Sequence, residues 1–224
     1  MLEQLPLYQQ AILTLAALVM FTSFALLAQS RVVPMIHVFA WQGLLVAITT
    51  GLVAFDSGKH DLYISALLAV LLKALFVPWL LHRLVTRLGI DRDEHGAEHP
   101  ATVLLIGALL VIFCYYVAEP ISELSASVTR NTIAISMAVV LLGMLMLVSR
   151  GKAVAQVVGF MSLENGLFFA AVAATHGMPM VVELGIAFDV LVAAVFFGVF
   201  FFHIRDSIES LDVDQLNRLS ESDE

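Results

Sequence analysis

The sequence predicts an all-α, polytopic membrane helix bundle of about seven transmembrane helices, with the N-terminus outside and the C-terminus cytoplasmic. Three observations predict it. Of 224 residues, 60% are hydrophobic and 13% charged, whereas about a quarter of a soluble domain is charged. Seven stretches are apolar enough and long enough to cross a hydrocarbon core, which takes roughly 20 helical residues. The basic residues between those stretches alternate in number from one connector to the next.

In chain order the expected spans are 11–29, 33–55, 62–82, 101–118, 131–148, 153–175 and 178–203. The opening Met1-Leu-Glu-Gln-Leu-Pro lacks the positive region of a signal peptide, so the first stretch is expected to remain as a span. Polar connectors divide the rest: Gln29-Ser-Arg, Asp56-Ser-Gly-Lys-His-Asp61, the charged run after Arg83, Glu119-Pro120 onward, Ser149-Arg-Gly-Lys152, and Thr175-His-Gly177. The chain thus divides into an N-terminal three-helix segment with a charged cytoplasmic loop (1–100), a fourth helix with its outer connector (101–130), a second three-helix segment (131–205) and an acidic cytoplasmic tail (206–224).

One side of the expected topology carries Arg31, Arg83, Arg87, Arg92, Arg150, Lys152, Arg205 and Arg218, the other only Lys59 and Arg130. Positive charge is retained on the cytoplasmic side, which gives the orientation and requires an odd number of spans. The location is a bacterial or archaeal cytoplasmic membrane, with lipid as the surrounding solvent.

Composition also excludes function classes. The one cysteine, Cys114, allows no intrachain disulfide and no cysteine-ligated cluster. Residues 206–224 hold seven acids, Asp206, Glu209, Asp212, Asp214, Glu221, Asp223 and Glu224, against Arg218. Nucleic acid and anionic lipid repel such a tail, so nucleic-acid binding is excluded and a protein partner or water is expected to face it.

Lys73, Glu164, Glu183 and Asp189 lie inside spans, where a central charge carries a penalty of about 2.5–3.5 kcal/mol and by default serves a function. Glu164 and Asp189 lie equally far from the turn at His176-Gly177, each roughly 19 Å along its helix. If both face one interior, two carboxylates at that spacing are expected to share a single charge. Lys73 lies about 18 Å into its own span, with Gln42 across the hairpin at similar depth. A basic and two acidic groups at one level suit a relay that crosses the protein laterally rather than a pore. Each also has a plainer reading: a protonated carboxylate fastening two helices, or a lysine that only neutralises it. Glu183, five residues into its span, can equally reach the interface.

His37, His82 and His203 raise haem ligation, but His82 and His203 stand beside Arg83 and Arg205 at the inner interface. His37 alone lies somewhat deeper and is kept as a secondary candidate with Glu183, Gln42 and Asn165. His95 and His99 have i, i+4 spacing in a loop containing Gly96 and Pro100, which reads as a solvated charged loop rather than a metal site. No cofactor, metal ligand set or catalytic residue is assigned.

A faint internal repeat is present. Ser30-Arg31 leads into Phe39-Ala-Trp-Gln-Gly-Leu-Leu45 as Ser149-Arg150 leads into Met161-Ser-Leu-Glu-Asn-Gly-Leu167, so Gln42-Gly43 falls on Asn165-Gly166. Each triplet then ends in His82-Arg83 or His203-Ile-Arg205. Both would run in the same direction, as in the parallel repeats of some transporters.

The second three-helix segment carries a basic inner loop (Arg150, Lys152), Leu163-Glu164 on its second helix, a short outer turn and Asp189 in its third. In these features it resembles the NuoK subunit of respiratory complex I and the MrpC subunit of multisubunit cation/proton antiporters. With four preceding helices and the acidic tail, the whole chain resembles the HyfE family, component E of hydrogenase-4-type complexes; Met161 to Leu211 is the most characteristic part. The resemblance implies a non-catalytic subunit that couples redox chemistry in a soluble hydrogenase arm to proton or cation translocation, with NuoH-like and antiporter-like membrane subunits as neighbours. Glu164 and Asp189 would stand at the two NuoK carboxylates. The second of these is usually Glu, so the shorter Asp189 needs a water to reach its neighbour. Lys73 has no counterpart in a three-helix subunit.

Two other classes remain open. A stand-alone secondary ion transporter would place its site at the midplane between repeats and use broken helices, whereas Gly and Pro do not cluster beside Glu164 or Lys73. The other is a haem or quinone membrane anchor of a respiratory enzyme, for which an absorbance spectrum would show haem or its absence. In the tail, Ile208, Leu211, Leu216 and Leu219 recur at roughly helical spacing and could dock on a partner, the soluble arm included.

Overall fold

The computed structural model of the protein describes residues 6–58, 60–88, 100–120 and 127–174, with helical positions 185, 187, 190, 191, 194 and 195 beyond them. It is an all-α bundle. Helix α1 spans Leu7–Ala28, α2 Val32–Ser57, α3 His60–Ala69, α4 Val77–Leu88, α5 Pro100–Ala118, α6 Ser127–Ser149 and α7 Ala153–Ala174. A π-helical segment, Val70–Phe76, joins α3 to α4 in one continuous rod. Six stretches among the described residues are long and apolar enough to span a membrane: Leu7–Ala28, Val32–Asp56, Leu62–Thr86, Pro100–Ala118, Asn131–Ser149 and Ala153–Val172. They coincide with the first six expected spans. The expected span at 178–203, with Glu183, Asp189 and His203, lies largely outside the described residues, as does the acidic tail. The first compact unit ends at Ile186 and a second begins at Ala187.

Most of these helices are apolar all round, as membrane helices are, because lipid receives the face that protein does not. Burial therefore picks out a stripe that composition hides. On α1 it is Ile12, Ala16, Val19, Ser23 and Leu26, spaced three and four apart. The central cluster joins α1, α2, α3, α6 and α7 through Ile12, Val19, Val46, Leu62, Val139, Phe168 and Phe169. Helix α5 packs on α6 and α1 and buries only Gly107, Cys114 and Ala118. Leu109, Ile112 and Tyr116 face outward, as they would toward lipid.

Helices α6 and α7 make the tightest pairing. A Cβ on Gly143 would fall 2.6 Å from the Leu163 amide nitrogen and 2.9 Å from the Gly159 carbonyl. The backbones are thus as close as small residues permit, which is how membrane helices associate without a hydrophobic driving force. That contact fixes the rotation of α7. Gly159 and Gly166 face α6, and Glu164 projects from the opposite side, since two residues turn a helix by about 200°.

The π segment is a departure from what the sequence suggests. Absence of Gly and Pro beside Lys73 predicts an unbroken span, yet the helix changes form over the residues centred on Lys73. The segment closes with a bond from the Val77 N–H to the Leu72 carbonyl, five residues back, and Pro78 immediately beyond has no N–H with which to give the regular bond to Ala74.

Arg150 lies in the connector between α6 and α7 as expected, yet it is only 5% exposed and donates from Nη2 to the Leu27 carbonyl at 2.6 Å. It thereby satisfies one of the open carbonyls at the end of α1, where a cation is also favoured by the helix dipole. Gln156 Nε2 in turn donates to the Arg150 carbonyl at 2.9 Å.

Candidate functional site

Lys73 is completely buried, an exceptional position for an ammonium group. Its place is set from two sides. The π segment turns it inward, and on α2 Gly43 lets the backbones meet, since a Cβ there would fall 2.9 Å from Lys73 Cβ and 3.0 Å from the Lys73 carbonyl oxygen. The Lys73 Nζ forms a buried ion pair and hydrogen bond with Glu164 Oε2 of α7. The same ammonium stands over the ring of Phe168, 4.5 Å from its centroid.

Beside the pair runs a chain of neutral polar groups. Asn165 Nδ2 donates to Gln42 Oε1 at 3.2 Å, Gln42 Nε2 to Ser23 Oγ at 2.8 Å, and Ser23 Oγ to the Val19 carbonyl at 3.1 Å. All three side chains are buried, and the chain ties α7 to α2 and α2 to α1. Asn165 Oδ1 is buried and receives no hydrogen bond among the described residues. A buried acceptor of this kind is what an internal water serves.

The structure therefore brings Lys73 and Glu164 into contact and joins Gln42 to Asn165 beside them. These two amides occupy matching positions of the faint repeat. Asp189 and Glu183 lie outside the described residues. His37 is not drawn into the group: its side chain is exposed, Nδ1 lies 2.8 Å from the Val33 carbonyl, and the ring meets that of His82 edge-on at 6.2 Å. The reason is rotation, since Gln42 faces inward and five residues back along α2 lies the far side. His82 is likewise exposed, and Arg83 beside it lies over the Trp79 ring at 5.3 Å. Among the described residues no three His, Cys, Asp or Glu side chains gather as metal ligands would.

Two participants escape the sequence reading, Phe168 and Ser23. Phe168 had a signal in its position, four residues after Glu164 and so on the same face of α7. Ser23 had only its polarity in an apolar span.

No family model matches the chain, and no solved structure matches it. Among known proteins, the chain is 32% identical over 185 residues to the uncharacterized protein Rv0085 of Mycobacterium tuberculosis, covering 82% of this chain and 84% of that one. It is 26% identical over 205 residues to hydrogenase-4 component E of Escherichia coli K12, covering 92% of this chain and 95% of the relative, and matches the protein of the same name from Shigella flexneri to the same extent. With similarity over so much of both chains, and with six apolar helices of spanning length among the described residues, the chain belongs to the same family as the mycobacterial protein Rv0085, and it is similar along most of its length to hydrogenase-4 component E.

Proposed function

We propose that the chain is a non-catalytic membrane subunit of an energy-converting, hydrogenase-type complex related to complex I. In this reading it passes protons laterally between NuoH-like and antiporter-like neighbours, while redox chemistry proceeds in a soluble arm. The observation that carries it is the buried Lys73–Glu164 pair. A charged pair at the centre of a membrane bundle adds little to stability over an apolar pair of the same size, so function is the better account of it. The relatives named as components of hydrogenase-4 support the kind of complex.

Glu164 accepts and returns a proton, Lys73 supplies the compensating charge or the next acceptor, and Asp189 continues the row. Asn165 Oδ1, buried and accepting no hydrogen bond among the described residues, is an acceptor on the residue next to Glu164. The distribution of Lys and Arg supports an outer N-terminus and a cytoplasmic C-terminus in the inner membrane, and a C-terminal reporter reading as external would overturn that orientation. The functional test is Glu164→Gln and Asp189→Asn in the assembled complex, with proton translocation measured separately from hydrogen evolution. Translocation is expected to fail while hydrogen evolution persists, and full pumping with both carboxylates neutralised would sink the relay.

A second reading has an observation of its own. The π segment interrupts a span at its buried charge, as secondary transporters break helices at their midplane sites. That reading requires a chain that is stable and moves ions alone. Loss of both on separation from co-purifying subunits decides against it.

A further inference from the structure

Phe168 stands one turn beyond Glu164 on α7, so carboxylate and ring approach the same ammonium from one helix. The ring is 3% exposed and belongs to the central cluster. Gly185 lies against its edge: a Cβ there would fall 2.7 Å from Phe168 Cδ2 and 3.7 Å from Glu164 Oε1. The ring is thus confined by the glycine on one side while its face lies toward a cation on the other.

Packing in the buried cluster calls for a bulky apolar side chain here, not for a π face as such. What a ring adds is the negative face of its quadrupole, and that attraction is strongest where water is excluded. Lysine is also the side chain most in need of such a constraint. Its four-carbon stem has many rotamers, and its ammonium can meet a carboxylate from many directions.

We propose that Phe168 is the positioning residue of the Lys73–Glu164 pair: its ring face holds the ammonium in the one geometry from which a proton passes to or from the carboxylate. The proposal rests on the relay reading for its functional consequence, but the contact itself does not. Gly185 abuts the ring edge, so the ring cannot draw back from the ammonium on that side.

The test keeps the shape of the residue and changes the charge of its face. Phe168 is replaced, in the full chain within its complex, by phenylalanines of increasing ring fluorination, alongside Phe168→Tyr and Phe168→Leu. Translocation is expected to fall stepwise with fluorination, by roughly five- to thirtyfold at the end of the series, the factor that a desolvated cation–π contact is worth. Tyrosine should stay near the parent and leucine should match full fluorination. A second readout is the ¹⁵N resonances of the three lysines of the full chain in lipid nanodiscs, with Lys73 assigned by Lys73→Arg. The Lys73 signal should carry a ring-current shift that Phe168→Leu abolishes.

Fluorinated chains that pump like the parent while leucine fails would reduce Phe168 to packing and overturn the proposal. A Lys73 resonance indifferent to Phe168→Leu would overturn it as well. A resonance that follows Phe168, with pumping untouched by Glu164→Gln, would overturn the relay and leave the positioning contact standing.

Discussion

Removing the carboxylate from Lys73 should destabilise the chain far more than removing both charges together. At contact distance and an effective dielectric of about 20, two unit charges attract by about 4 kcal/mol. Breaking a buried pair by taking one partner away typically costs about 3–5 kcal/mol, because the remaining charge was desolvated for a partner it no longer has. Lys73 is wholly buried and Glu164 5% exposed, so neither can turn to water without moving its helix. The Phe168 ring stays in place under the ammonium and offsets about 1 kcal/mol. Glu164→Gln should therefore cost about 3 kcal/mol, and Lys73→Met a similar amount. The double variant removes both members of the pair together and should lie within about 1–2 kcal/mol of the parent. The assay is equilibrium unfolding of the full chain in mixed micelles titrated with SDS, arranged as a double-mutant cycle. Single effects that add to within about 0.5 kcal/mol would mean the two groups are not coupled, and would refute the reasoning.

Two further outcomes follow from contacts elsewhere. Gly43→Ala should destabilise by about 1–3 kcal/mol, because its methyl meets Lys73 backbone atoms at 3.0 Å that cannot swing aside, whereas Gly51→Ala on the same helix meets nothing within 4 Å and should be neutral or mildly stabilising in the same titration. Arg150→Met should cost about 1.5–3 kcal/mol through the lost charged hydrogen bond and loosen the end of α1. Hydrogen exchange at the amides of residues 26–30 reports that loosening, and unchanged protection there would refute the clamp.

What was legible in the sequence and what was not divide along one physical line. Lipid demands apolar helices of a certain length, so the six observed spans could be read from hydropathy alone, almost to their ends. Rotation about each axis could not, because a helix such as α5 is apolar on every side and its buried face bears no label. Depth along a helix is arithmetic, which is how Lys73, Gln42 and Glu164 come out at one level. That Lys73 turns toward Glu164 depends on Gly43, Pro78 and the α6–α7 crossing acting together, and none of these announces a direction by itself. Arg150 shows another side of this. Its place in a connector between two spans could be read, but its burial could not, because only the neighbouring end of α1 reveals an acceptor for it.

The π segment has a consequence on another timescale. It holds one residue more than a regular helix would use over the same rise. Inserting one residue into a uniform helix would rotate everything beyond it by about 100° and scramble its faces. A π turn absorbs the extra residue locally, so α3 and α4 can each keep the face they already pack. A single added residue can thus sit in a span, with an inward-facing lysine at its centre, while the helical turns on either side keep their own packing.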